Sequence, residues 1–246
     1  MRGHVYLIGA GPGDPELLTV KAARAIRRCD VLLVDDLVPP ACLRGAHRGV
    51  RVIDVGKRGG GRTTPQRAIE ALMIRLARRG QVVGRVKGGD PFVFGRGVEE
   101  VAALEAAGVR VTVVPGLTAG IAGPAAAGIA VTARGVARGV ALVTGHTCDG
   151  DEPDWPAIAR TGLTIVVYMG VALAEAITAG LLAGGLAATT PAAVVENATR
   201  PEQRVVVTTL GALARTVTAE RVRSPSLLVV GDVAAGVRAV AASHAA

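Results

Sequence analysis

Aromatic side chains are nearly missing from this sequence: its 246 residues include one Trp, two Tyr and two Phe. A surface that stacks the bases of single-stranded nucleic acid needs several such rings. No dense run of Lys or Arg makes up for the shortage, so a nucleic-acid partner is not expected. Cysteine is scarce as well. Cys29, Cys42 and Cys148 are odd in number and lack CxxC spacing, and only four scattered histidines accompany them. Neither a disulfide framework nor a metal site is supported, and a reducing cytoplasm is the expected compartment. The opening residues run directly into a short apolar strand, without the apolar core of a signal peptide.

What is present is aliphatic. Half the chain is hydrophobic, and 33 Gly and 13 Pro fall as punctuation between apolar runs. The formal net charge of +8 calls for an anionic partner, and a polycarboxylated or phosphorylated small molecule suits it. One stretch, Leu163 to Val195, carries a single charge, Glu175, and is long enough to span a bilayer. Gly170, Gly180, Gly184, Gly185 and Pro191 cut it at strand–turn–helix–turn–strand intervals, so no membrane span is expected.

Strands alternate with helices along the chain. Apolar runs predict strands at Val5–Ile8, Asp30–Val34, Arg51–Val55, Gln81–Val86 and Val109–Val114. A second set falls at Val140–Val143, Thr164–Tyr168, Ala192–Val195, Arg204–Thr208 and Ser226–Val230. The alternation implies an α/β class with mostly parallel, doubly covered sheets. Two stacked αβα domains are expected, 1–115 and 116–246, with a ligand cleft between them. Residues from about Val233 onward read as frayed.

The loops leaving the strand ends carry the chemistry, because open α/β sheets bind ligands there. The chief one is Lys87-Gly88-Gly89-Asp90-Pro91-Phe92-Val93-Phe94-Gly95-Arg96-Gly97, which holds both phenylalanines of the protein. Its paired glycines let a ligand approach the backbone closely, and Asp90 adds a fixed carboxylate. The first loop, Gly9-Ala10-Gly11-Pro12-Gly13-Asp14, invites a dinucleotide reading. Its spacing is G-x-G-x-G, however, and an acid stands where the last glycine of G-x-G-x-x-G belongs, so that reading is rejected. Pro15 after Asp14 is read as the start of the next helix, with Leu18, Ala22 and Ile26 on its apolar face. Asp35-Asp36, after the second strand, make either a solvated turn or a general base. Gly56-Lys57-Arg58 open a flexible basic loop able to grip carboxylates. His146 follows a strand, as does Met169; the first reads as an acid/base or, as lone histidines more often are, a hydrogen-bonding residue, and the second alone as a core filler.

Together these segments resemble the tetrapyrrole methylase family, nearest its branch that acts on uroporphyrinogen III. The resemblance rests on VYLIGAGPGDPELLTVK from Val5, DDLV from Asp35, VGKR from Val55 and TPQ from Thr64. It continues with KGGDPFVFGRG from Lys87, VVPGLTA from Val113, VTGH from Val143, YMG from Tyr168 and VVENATRPEQRVV from Val194. It implies a methyltransferase using S-adenosylmethionine, bound in the interdomain cleft and released as S-adenosylhomocysteine, without a metal. Cofactor contacts carried over by position are Pro12, Gly88, Gly89, Asp90, Val93, Thr118, Ala119, Met169 and Ala198. Asp35 and Lys57 match the family's proton acceptor and donor. Gly11 and Gly13 would face the tetrapyrrole, whose carboxylates Arg58, Arg85, Arg96 and Arg134 would grip. The implied reaction is two successive C-methylations of uroporphyrinogen III, through precorrin-1 to precorrin-2, by a homodimer serving siroheme and cobalamin synthesis. The sequence departs from the family at Asp36, usually Arg, and at Ala126, Ala130 and Ala133, usually Tyr, Pro and His. Val98 and Ala198 replace glycines. The alternatives these departures raise are a methylase of a different or later tetrapyrrole, or a non-catalytic tetrapyrrole or adenosyl-ligand binder.

Overall fold

The computed structural model describes residues 3–56, 64–146 and 152–236. The chain divides into two compact units after Thr118. In the first, β1 (His4–Gly9), β2 (Val31–Val34), β3 (Arg51–Asp54), β4 (Val82–Lys87) and β5 (Arg110–Val114) form a sheet in the order β3-β2-β4-β1-β5. Every pairing in it is parallel. Side chains alternate across a strand, so Leu7 and Leu33 enter one core while Ile8 and Leu32 enter the other. The helices α2 (Gln66–Arg78) and α3 (Gly97–Ala106) supply Ile69, Met73, Leu76 and Leu104 to the first core; α1 (Val20–Arg28) supplies Ala22, Ala25 and Ile26 to the second. The inner strands of the sheet are therefore buried on both faces, as parallel sheets require, while the edge strand β3 is largely exposed.

Helix α1 begins later than the Asp14-Pro15 signal predicts. Asp14 does accept the N–H of Glu16 at 2.8 Å, but Pro15–Leu17 forms one 3₁₀ turn. Thr19 then starts α1 afresh, accepting the N–H of Ala22 at 3.0 Å. A capping hydroxyl after a first, aborted turn wins because it satisfies an orphan donor of the longer helix.

The second unit contains α4 (Ala119–Ala126), β6 (Val140–Thr144), α5 (Trp155–Ala159), β7 (Thr164–Tyr168), α6 (Ala174–Ala183), β8 (Pro191–Glu196), β9 (Arg204–Thr209), α7 (Leu213–Ala219) and β10 (Ser226–Val230). Its sheet runs β6-β7-β10-β8-β9. The α/β class holds here too, but this sheet is mixed. Only β6–β7 is parallel; β7–β10, β10–β8 and β8–β9 are antiparallel. The reason is chain length: residues 197–203 are too few for the helical crossover that a parallel neighbour demands, so β9 folds back on β8. The charge-poor stretch from Leu163 resolves into β7, α6 and β8, and no described helix is long and apolar enough to cross a membrane. The fraying expected from Val233 does not begin there: Val233 and Ala234 are buried in a 3₁₀ turn against the β8–β10 face, and the residues after 236 lie outside the described residues.

Candidate functional site

In the first unit the strand ends converge through glycine. Gly11 and Gly89 form a two-way bridge, with N–H to O=C distances of 3.2 and 2.7 Å. A β-carbon at Gly9 would lie 2.5 Å from the Gly116 nitrogen and 2.7 Å from the Gly89 carbonyl oxygen. Three loops thus meet backbone to backbone, which only glycine permits. Gly11 and Gly89 also sit at φ 73° and 66°, a region other residues enter at a cost. Asp90 locks the junction. One carboxylate oxygen accepts the N–H of Phe92 at 2.8 Å, and the other accepts the N–H of Gly116 at 3.0 Å. Around it Phe92 and Phe94 are exposed, and Phe94 and Arg96 take left-handed backbone angles of φ 52° and 56°. Non-glycine residues held so cluster at ligand sites. Val93 closes the turn after Asp90 at 3.3 Å, and Pro12 stands half-buried on the first loop.

Beneath this junction lies a charge network. Arg85 donates from Nη2 to Asp35 Oδ1 at 2.6 Å and from Nε to Glu100 Oε1 at 3.0 Å. Lys87 Nζ stands 3.2 Å from Glu100 Oε1 and 3.8 Å from Asp35 Oδ2. Burial, with Arg85 beside it, lowers the pKa of Lys87, against the opposing pull of Glu100 and Asp35. Two cations meet two carboxylates, and the group is balanced.

This overturns the role expected of Arg85. It is 2% exposed and committed to two carboxylates inside the fold, so it does not grip a substrate. Gly11 is likewise constrained: its backbone N–H and C=O both serve Gly89. Gly13 is buried, its carbonyl receiving the Cys42 thiol at 3.7 Å. Arg96 is exposed on the loop and donates from Nε to Glu99 at 2.9 Å. Asp36 is exposed, with Gly56 packed on its backbone. Lys57 and Arg58 lie outside the described residues.

The second unit has its own strand-end group. Met169 follows β7 at φ 53° with a half-exposed side chain, and Tyr168 accepts the Gly120 N–H on its hydroxyl oxygen at 2.6 Å. After β8, Asn197 and Thr199 both take positive φ, 50° and 63°, with Ala198 between them. Ala198 packs in the core beside Gly123. Thr118 ends the first unit and Ala119 opens α4. Arg134 is exposed at the tip of a turn closed by paired Ala133–Ala137 hydrogen bonds at 3.1 and 2.9 Å. His146 makes a local turn with Thr144. No cluster of metal-binding side chains occurs among the described residues.

Glu100 is the residue that sequence patterning passes over. A signal for it exists: Arg85 and Lys87 are two apart in a buried strand, hence on one face, and two buried cations need an acid. Glu100 shares the buried face of α3 with Gly97 and Leu104.

An α/β chain whose strand-end loops meet through glycine, beside a buried ion network, has the build of a small-ligand enzyme. Comparison with known proteins gives the family. Residues 4–214 match the model of the Tetrapyrrole (Corrin/Porphyrin) Methylases, and the chain belongs to that family. It is 53% identical over 95% of both chains to a uroporphyrinogen-III C-methyltransferase of Pseudomonas aeruginosa. It is 47% identical to the siroheme synthase of Azotobacter vinelandii, covering 94% of this chain and 50% of that one. A uroporphyrin-III C-methyltransferase of Thermus thermophilus, solved with S-adenosyl homocysteine, superposes with a TM-score of 0.81 at 42% identity, covering 94% of this chain and 98% of its own.

Proposed function

We propose that this protein methylates carbon atoms of uroporphyrinogen III with S-adenosylmethionine, forming precorrin-1 and then precorrin-2 for siroheme and cobalamin synthesis. The observation that carries the reading is the end-to-end match, at 53% identity, to the Pseudomonas aeruginosa methyltransferase. The donor set fits an adenosyl ligand. Gly88 stands half-buried beside the Gly11–Gly89 bridge, Met169 offers a half-exposed thioether, and the residues flanking Ala198 are held at positive φ. In this reading the tetrapyrrole lies on the first unit, and the adenosyl ligand lies against these loops. Its sulfonium supplies an electrophilic methyl group to an electron-rich pyrrole carbon.

The residues of the chain orient the two reactants and exclude water, which is where most of the rate enhancement arises. Gly88, Gly89, Asp90, Pro12 and Val93 hold the cofactor from the first domain; Thr118, Ala119, Met169 and Ala198 complete the contacts. Asp35 accepts the proton whose loss restores conjugation in the macrocycle, and Lys57 donates one. Arg58, Arg96 and Arg134 bind substrate carboxylates through their bidentate forks, beside Gly13 on the first loop. The protein works in the cytoplasm as a homodimer; the free, buried thiol of Cys29 suits a reducing compartment. Incubation with S-adenosylmethionine and enzymatically generated uroporphyrinogen III, without oxygen, tests the reading by product mass. Two added methyl groups are expected. Cofactor binding without methyl transfer would redirect the search to other tetrapyrroles, through the small side chains at Ala126, Ala130 and Ala133.

A further inference from the structure

Among its charged groups, the buried network has one partly exposed member. Side-chain exposure is 0% at Glu100, 2% at Arg85 and 5% at Lys87, but 25% at Asp35. Glu100 Oε1 receives three donors: Arg85 Nε at 3.0 Å, Lys87 Nζ at 3.2 Å and Gln66 Nε2 at 3.1 Å. Its Oε2 is buried without a hydrogen-bond partner among the described residues. Arg85 also donates from Nη1 to the carbonyls of Leu33 and Val86, at 3.5 and 3.4 Å.

We propose that Glu100, acting through Arg85, is a positioning residue that fixes the Asp35 carboxylate for proton transfer. The proposal rests on Asp35 being the proton acceptor of the reading above. A guanidinium is a rigid plane, so holding its Nε on Glu100 determines where Nη2 meets Asp35. Glu100 also engages Lys87. Without that carboxylate, both cations would have Asp35 as their sole acid within the network, and would draw it inward from the surface where it meets substrate. Stability alone gives little reason to keep such a group, since apolar residues of similar volume replace buried ion networks at little cost. A network whose other charged groups are all buried has a reason in placing its one partly exposed charge, the candidate base.

A double-mutant cycle on the full chain tests this. Turnover is measured without oxygen, at enzyme excess where rates are low, for wild type, Glu100→Gln, Asp35→Asn and the double variant. Glu100→Gln is expected to lower kcat about 10- to 100-fold, with KM for both substrates within about twofold. In the Asp35→Asn background it should cause no further loss, since its effect passes through Asp35. Full turnover in Glu100→Gln, or losses that multiply in the double variant, would overturn the positioning role and leave Asp35 as acceptor. Wild-type turnover in Asp35→Asn would overturn the acceptor reading, and this proposal with it. Should Glu100→Gln fail to fold, as judged by circular dichroism, Arg85→Lys carries the same cycle. It keeps the charge but cannot span both carboxylates, and the same outcomes decide.

Discussion

Asp35 is oriented by Arg85 at 2.6 Å yet keeps a quarter of its side chain exposed, which suits a base that must meet substrate and return to one position. Replacing it by Ala is expected to cut turnover about 10²- to 10⁴-fold while calorimetry shows unchanged affinity for S-adenosylmethionine. His4 gives a pH signature. Burial, with Arg110 nearby, lowers its pKa from 6.5, so the folded state disfavours the charged ring. Its stability contribution is present above pH 6.5 and is lost as pH falls through the lower folded value. The drop in melting temperature on acidification should therefore be smaller in His4→Gln than in wild type. Cys29 is fully buried, and burial with Asp30 beside it pushes its thiol up to about 12. At pH 8 roughly one thiol in 10⁴ is ionised. A thiol reagent should leave Cys29 unmodified in the native protein and label it only after denaturation.

At the level of elements, β1, β4 and β5 are tied together beyond their ladders by the meeting of Gly9, Gly89 and Gly116. A β-carbon at Gly116 would overlap the Gly89 carbonyl and come within 2.7 Å of the Gly9 carbonyl carbon. Backbone cannot yield as a side chain does, so Gly116→Ala should destabilise by about 1–3 kcal/mol and weaken cofactor binding, because the Gly88–Asp90 loop must shift. Gly45 is a control: a β-carbon there meets nothing within 4 Å. Gly45→Ala should stay within about 0.5 kcal/mol of wild type in urea denaturation. The strands of the second unit obey a different constraint, since a short connection after β8 reverses the chain and mixes the sheet.

The whole molecule carries a formal net charge of +8, and a polycarboxylate substrate is steered by such a field. Raising the salt from roughly 0.05 to 0.5 M shortens the screening length. It should raise KM for the tetrapyrrole several-fold while KM for S-adenosylmethionine stays nearly constant. The sequence by itself determined the strands, because most are apolar runs bounded by glycine, proline or an acid, and local pattern suffices for that. It determined the family too, because the loops after those runs are short, contiguous motifs. Only the tertiary structure decided that Arg85 faces inward to Asp35 and Glu100, that Gly11 is spent on Gly89, and that the second sheet is mostly antiparallel. The first two depend on partners from distant parts of the chain: Arg85 lies 50 residues from Asp35, and no local pattern specifies which carboxylate a buried cation will meet.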